Sequence, residues 1–159
     1  MRQPMPRPML RPILIVEDDP RDLELTVIAL GRSGLANGIV VAYDGEMALN
    51  YLNREGPYVE REAGNPAAIL LDLKLPKLNG LEVLQCVRAT ESLRELPVIM
   101  LTSSNEESDV RKSHVLGVDA YVVKPVELKQ FMATIDGIGV FWAAAARVGD
   151  VARSVGRQV

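Results

Sequence analysis

Five short apolar runs, rich in β-branched residues, recur along the chain at 13–16, 39–43, 68–71, 98–101 and 120–123. Continuous runs of this kind predict strands covered on both faces, the pattern of a parallel sheet. The segments between them change to a helical period. Leu23, Val27 and Leu30 share a face over 22–32, and Ala48, Leu49 and Leu52 do so over 46–53. Leu81, Leu84 and Val87 mark a third helix over 81–89. The segment 105–116 is more polar, with Val110, Val115 and Leu116 as its apolar contribution. A last helix starts near Glu127 and carries Leu128, Phe131, Met132 and Ile135. Strand and helix alternating five times predict an α/β, doubly wound sheet with right-handed crossovers and helices on both faces. Pro20, Asp44-Gly45, Asn79-Gly80 and Asn105 stand at the strand-to-helix joints as caps and turns should.

One joint breaks the rhythm. Residues 54–67 contain Gly56-Pro57 and Gly64-Asn65-Pro66, and a connection of that length is either functional or mobile. The 159 residues suffice for one domain with a real core. Residues 1–12, with four prolines and three arginines, lack the apolar centre of a signal peptide, so 1–11 is expected to be a flexible tail. No run approaches the roughly 18–20 apolar residues of a spanning helix. A cytoplasmic protein without a membrane partner is expected. Net charge of −3 gives no general attraction to nucleic acid, and none is expected as partner. Cys86 is the single cysteine, which excludes an intrachain disulfide; its place between Leu84 and Val87 predicts a buried thiol.

Candidate chemistry gathers at the carboxyl ends of the predicted strands. Glu17-Asp18-Asp19 follows the first, Asp72 the third, Thr102 the fourth and Lys124 the fifth. Ligands of open parallel sheets bind beyond these ends, where the strand order reverses. With the order 2-1-3-4-5, the four strands bearing these groups lie together. Asp44, after the second strand, falls at the edge and is assigned as a helix cap. Up to three carboxylates (Glu17, Asp18, Asp72) in one place need a neutralising cation. Oxygen donors without a His or Cys cluster select Mg2+, with Mn2+ an acceptable substitute. A metal, an ammonium and a hydroxyl are equipment for phosphoryl transfer, with Asp72 as nucleophile and Lys124 and Thr102 on the phosphoryl oxygens. Ser103 is small enough to leave access.

The pieces Ile-Leu-Ile-Val-Glu17-Asp18-Asp19, Leu-Leu-Asp72-Leu-Lys-Leu-Pro76 with Gly80, Leu-Thr102-Ser103 and Tyr-Val-Val-Lys124-Pro125 resemble the receiver domain of two-component response regulators. The resemblance covers 12–140 and implies a flavodoxin-like (CheY-like) fold. It further implies that Asp72 accepts phosphate from a phosphohistidine on a sensor histidine kinase. Glu17, Asp18, Asp72 and the main-chain carbonyl of Lys74 would hold the magnesium. Tyr121 matches the switch aromatic that follows the Thr102 hydroxyl, and the bond before Pro125 is expected to be cis. Such a protein is a phosphoacceptor with self-catalysed transfer and dephosphorylation, not a conventional enzyme. The loop 54–67, Lys124-Pro-Val-Glu-Leu-Lys-Gln-Phe and the late Phe141-Trp142 are similar to single-domain regulators paired with phytochrome-type kinases, which makes a bacteriophytochrome the candidate kinase.

Beyond the receiver, 141–159 continue a helical pattern through Phe141, Trp142 and four alanines. An apolar patch of this kind is either the seam of a homodimer or a helix folded back on its own core. Lys74, two positions after Asp72, and Ser104, two after Thr102, flank in the family the path of the hydrolytic water. Lys74 is expected to shield the acyl phosphate. His114, the single histidine, is expected to be a solvated surface residue. Two other functions compete: a receiver that works by binding alone, without phosphorylation, and a haloacid-dehalogenase-like phosphatase. The phosphatase needs an acid where Lys74 stands.

Overall fold

Ile13–Val16 forms strand β1, with Ile39–Ala42 (β2) on one side and Ala68–Asp72 (β3) on the other. In the computed structural model the described residues are 11–32, 37–103 and 107–136, with the backbone alone for 107–110 and 135–136. β3 pairs with Val98–Thr102 (β4), and β4 pairs with Ala120–Val123 (β5). Every pairing is parallel and the order is β2-β1-β3-β4-β5, as the strand-end chemistry required. β1, β3 and β4 are buried at every residue, which is why they read as unbroken apolar runs. β2, at the edge, is buried only at Ala42.

The two faces divide with the period of the strand. Ile13, Ile15, Leu70, Ile99 and Leu101 point to one side, against Leu30 and the fully buried Phe131. Leu14, Val16, Ile69, Leu71, Val98 and Met100 point to the other, against Ala48, Leu52, Val83, Leu84 and Val87. The first layer is helix α1 (Pro20–Arg32) with α5 (Leu128–Asp136). The second contains α2 (Gly45–Asn53) and α3 (Gly80–Ala89), with α4 (Glu107–Val115) beyond α3.

Asp44 and Asn79 cap their helices as the sequence suggests, and Asp19, grouped there with the strand-end acids, caps α1. Asp19 Oδ1 accepts from the N–H groups of Arg21 (2.8 Å) and Asp22 (3.0 Å). Asp44 Oδ1 accepts from Met47 (2.7 Å), and Asn79 Oδ1 from Glu82 (2.9 Å). The chain is already held at Arg11, a residue expected in the tail: its carbonyl accepts from Asn37 Nδ2 at 2.7 Å.

The segment 54–67 is a built element. It opens with Arg54 in the left-handed region (φ 56°), continues through a 3-10 turn at Gly56–Tyr58, and is pinned at its far end by Asn65 Nδ2 on the Ser92 carbonyl (2.7 Å). Cys86 corrects the sequence reading: it is exposed. The buried residues of α3 are Gly80, Val83, Leu84 and Val87. Position 86 lies about 200° around the helix from Leu84, so apolar neighbours in sequence did not make it a core position. The expected tail over 1–10, Ser104, Asn105, the extension 141–159 and Phe141-Trp142 lie outside the described residues.

Candidate functional site

Each of the three central strands and β5 delivers one group to the same end of the sheet. β1 ends at Val16, and the next residue, Glu17, is fully buried. Asp72 is the last residue of β3 and is 5% exposed; Thr102 ends β4 and is buried too. Lys124 follows β5, and its N–H donates to the Thr102 carbonyl at 2.7 Å. Oxygens of Glu17, Asp18 and Asp72 lie within 4.8 Å of one another. The Lys124 Nζ lies 2.6 Å from Glu17 Oε2 and 3.0 Å from Asp72 Oδ2. The structure therefore brings together Glu17, Asp18, Asp72 and Lys124, with Thr102 at the adjoining strand end. Asp44 stays apart as an N-cap.

Asp22 was missed by the sequence reading. Its Oδ2 sits 3.1 Å from Lys124 Nζ, joining α1 to the loop after β5 across 102 positions. Its only sequence signal was an acid in the first turn of a helix, which the helix dipole favours anyway.

Three carboxylates, those of Glu17, Asp22 and Asp72, thus surround one buried ammonium, and Asp18 converges on two of them. Burial pushes the Glu17 carboxyl up to about 7; the Lys124 contact opposes this and the neighbouring Asp72 adds to it. Burial works against the charge of Lys124, but Glu17, Asp72 and Asp22 together outweigh it and hold the ammonium above its ordinary value. Glu17 Oε2 is buried, with the Lys124 ammonium as its partner. A hard divalent cation fits this donor set, three converging carboxylate oxygens with no nitrogen or sulfur ligand among them. Lys74 donates its N–H to Asp72 Oδ1 (3.3 Å) and, with Asp18, Leu73, Leu75 and Pro76, lines a cleft of about 470 Å³ beside the acids.

The loop between β3 and α3 is held close by glycine. A Cβ on Gly80 would collide with the carbonyl oxygen of Asp72 and come 2.8 Å from the Leu73 Cα. Gly80 in turn donates its N–H to the Leu73 carbonyl at 2.9 Å. The Lys124–Pro125 peptide is cis. Ser103 is exposed beside Thr102. Tyr121 is 37% exposed, and its ring meets that of His114 edge-on at 5.6 Å. His114 is at the surface as expected, yet it has an aromatic neighbour that the sequence did not reveal.

The family of response regulator receiver domains matches this chain over residues 13–136. The chain is a response regulator receiver. Among curated relatives it is similar to response regulator Rcp1 of Synechocystis sp., 37% identical over 130 residues, covering 82% of this chain and 87% of that one. Among solved structures it is similar to the bacteriophytochrome response regulator RtBRR, with 68% identity, a TM-score of 0.79, and coverage of 84% and 81%. The phosphorylated cyanobacterial phytochrome response regulator RcpA superposes with a TM-score of 0.70 at 37% identity, covering 84% and 94%. A Mn(2+)-bound form of Rcp1 gives a TM-score of 0.70 at 36% identity, covering 83% and 94%. This receiver thus belongs to two-component signalling and has phytochrome-linked relatives. No helix among its described residues is long and apolar enough to cross a membrane.

Proposed function

We propose that Asp72 accepts a phosphoryl group from a phosphohistidine on a sensor histidine kinase, in a magnesium-dependent reaction, and that the resulting acyl phosphate switches partner or dimer binding. The observation that carries this reading is the buried Asp72 carboxylate, 3.0 Å from the Lys124 ammonium and converging with Glu17 and Asp18. Both the phosphorylated RcpA and the Mn(2+)-bound Rcp1 support it by likeness.

An Asp72 oxygen forms the new O–P bond while the P–N bond to the imidazole breaks, and the bonding pair leaves with the ring nitrogen. The transition state is loose, with charge spread over the peripheral oxygens, so positioning and electrostatics carry most of the catalysis. Lys124 pairs with one of those oxygens, and the Thr102 hydroxyl donates to another. Glu17, Asp18, Asp72 and the Lys74 carbonyl would hold magnesium, or manganese in its place, and the bound ion would supply the remaining neutralisation. Thr102 and Tyr121 then bias a two-state equilibrium of the β5 face. On this reading the protein turns over its own acyl phosphate but is no conventional enzyme. The kinase partner is assigned as phytochrome-type on the 68% identity to RtBRR. A homodimer seam over Phe141 and Trp142 rests on their apolar sequence alone.

Labelling by acetyl phosphate with Mg2+ tests the acceptor: wild type gains one phosphate, and Asp72→Asn gains none. Labelling retained in Asp72→Asn, or absent in wild type, defeats the reading in favour of a receiver that acts by binding alone. Phosphotransfer from the host's purified sensor kinases then identifies the donor.

A further inference from the structure

An ammonium has three donors, and Lys124 has three carboxylates around it: Glu17 at 2.6 Å, Asp72 at 3.0 Å and Asp22 at 3.1 Å. Two of these acceptors belong to the acidic cluster, and one does not. Asp22 stands on the first turn of α1, where its N–H donates to Asp19 Oδ1 (3.0 Å) and its carbonyl accepts from the buried Thr26 hydroxyl (2.9 Å). The main chain therefore fixes where its carboxylate can reach. A cation entering between Glu17, Asp18 and Asp72 competes with Lys124 for Glu17 and Asp72. The more of its charge Lys124 spends on that pair, the weaker their hold on the cation.

We propose that Asp22 is a positioning residue: it draws the Lys124 ammonium towards α1, and so keeps Glu17 and Asp72 available to a divalent cation. This rests on reading the acidic cluster as a cation site. During phosphorylation the same contact keeps Lys124 at the rim of the site, because Asp22 is the one partner that neither the cation nor the phosphoryl group claims.

The test is Mn2+ binding to the full chain, followed through the paramagnetic signal of the free ion, with no phosphoryl donor present. Asp22→Asn keeps the shape and removes the charge; it is expected to weaken Mn2+ binding roughly tenfold, as directly coupled charges do. Asp22→Glu is expected to restore most of the affinity. In a Lys124→Met background, Asp22→Asn is expected to change affinity less than about twofold, because its effect runs through the ammonium. A tenfold loss that persists without Lys124 would show a general field effect and overturn the proposal. So would wild-type affinity in Asp22→Asn. Either outcome, with wild type binding Mn2+, leaves the phosphoacceptor reading standing. Failure of Asp72 labelling leaves these titrations interpretable.

Discussion

The guanidinium of Arg61 lies 4.3 Å from the centre of the Tyr51 ring, over the last turn of α2. From there Arg61 donates to the carbonyls of Tyr51 (2.9 Å), Glu62 (3.0 Å) and Gly64 (2.9 Å), and Arg54 Nε donates to the Arg61 carbonyl (2.9 Å). One side chain thus closes the long segment after α2 into a loop with its own internal frame. Arg61→Ala removes the fork and the ring contact together, and is expected to cost about 2–3 kcal/mol. Arg61→Lys is expected to recover little, because an ammonium cannot reach several carbonyls in one plane. Urea unfolding checks both. Wild-type stability in Arg61→Ala would mean that the frame is redundant.

Tyr51 gives the same loop a dependence on pH. Burial pushes its phenol above 10.0; the Arg61 charge opposes this and Tyr58 adds to it. The unfolded chain therefore releases the Tyr51 proton first. The contribution to stability is full below about pH 10 and is lost as pH rises through the folded value. Tyr51→Phe keeps the ring for Arg61 and Tyr58 but has no proton to lose. Between about pH 8 and about pH 11, wild type is expected to lose more stability than Tyr51→Phe. Parallel losses in the two proteins would reject this.

The fold was legible because its signals are local. β1, β3 and β4 are buried on both faces, so apolar runs announced them, and Asp44 and Asn79 announced the helix starts. The acids of the site were legible for a related reason: a charge ending an apolar run has no structural use. What stayed hidden joins distant positions. Arg88, which the sequence did not single out, donates to the carbonyls of Arg94, Leu96 and Gly117 and pairs with Asp119 at 3.0 Å. Nothing within a few residues of Arg88 or of Asp22 encodes partners about 30 and about 100 positions away. Cys86 failed differently: its neighbours in sequence suggested a core, and helical phase put it outside.

Gly80 links the helix start of α3 to the end of β3. In an open helix, alanine in place of glycine gains about 1 kcal/mol. Here the added Cβ would meet the backbone of Asp72 and Leu73, which has no rotamer to change. The clash wins. Gly80→Ala is expected to be less stable than wild type by about 2 kcal/mol, and slower to label with acetyl phosphate because the Asp72 end of β3 must shift. Melting temperature and labelling rate, measured on one preparation, check the two effects. A variant with wild-type values for both would show that the loop yields freely.

On the reading of Asp72 as phosphoacceptor, Lys74 is expected to lengthen the lifetime of the phosphate. Its N–H reaches Asp72 Oδ1, and its exposed side chain borders the cleft shared with Asp18. On that reading this rim is taken as the approach of the water that hydrolyses the acyl phosphate. A long cation there occupies the approach and offers no acceptor with which to orient the water. Asparagine is shorter, and its amide oxygen can hold a water. Lys74→Asn is therefore expected to lose phosphate about five times faster, equivalent to about 1 kcal/mol in the barrier. Uptake from acetyl phosphate should change less, because the carboxylates and Lys124 are untouched. Following the decay of the labelled protein after removal of the donor decides it. Equal decay in wild type and Lys74→Asn would mean that water reaches the phosphate by another path.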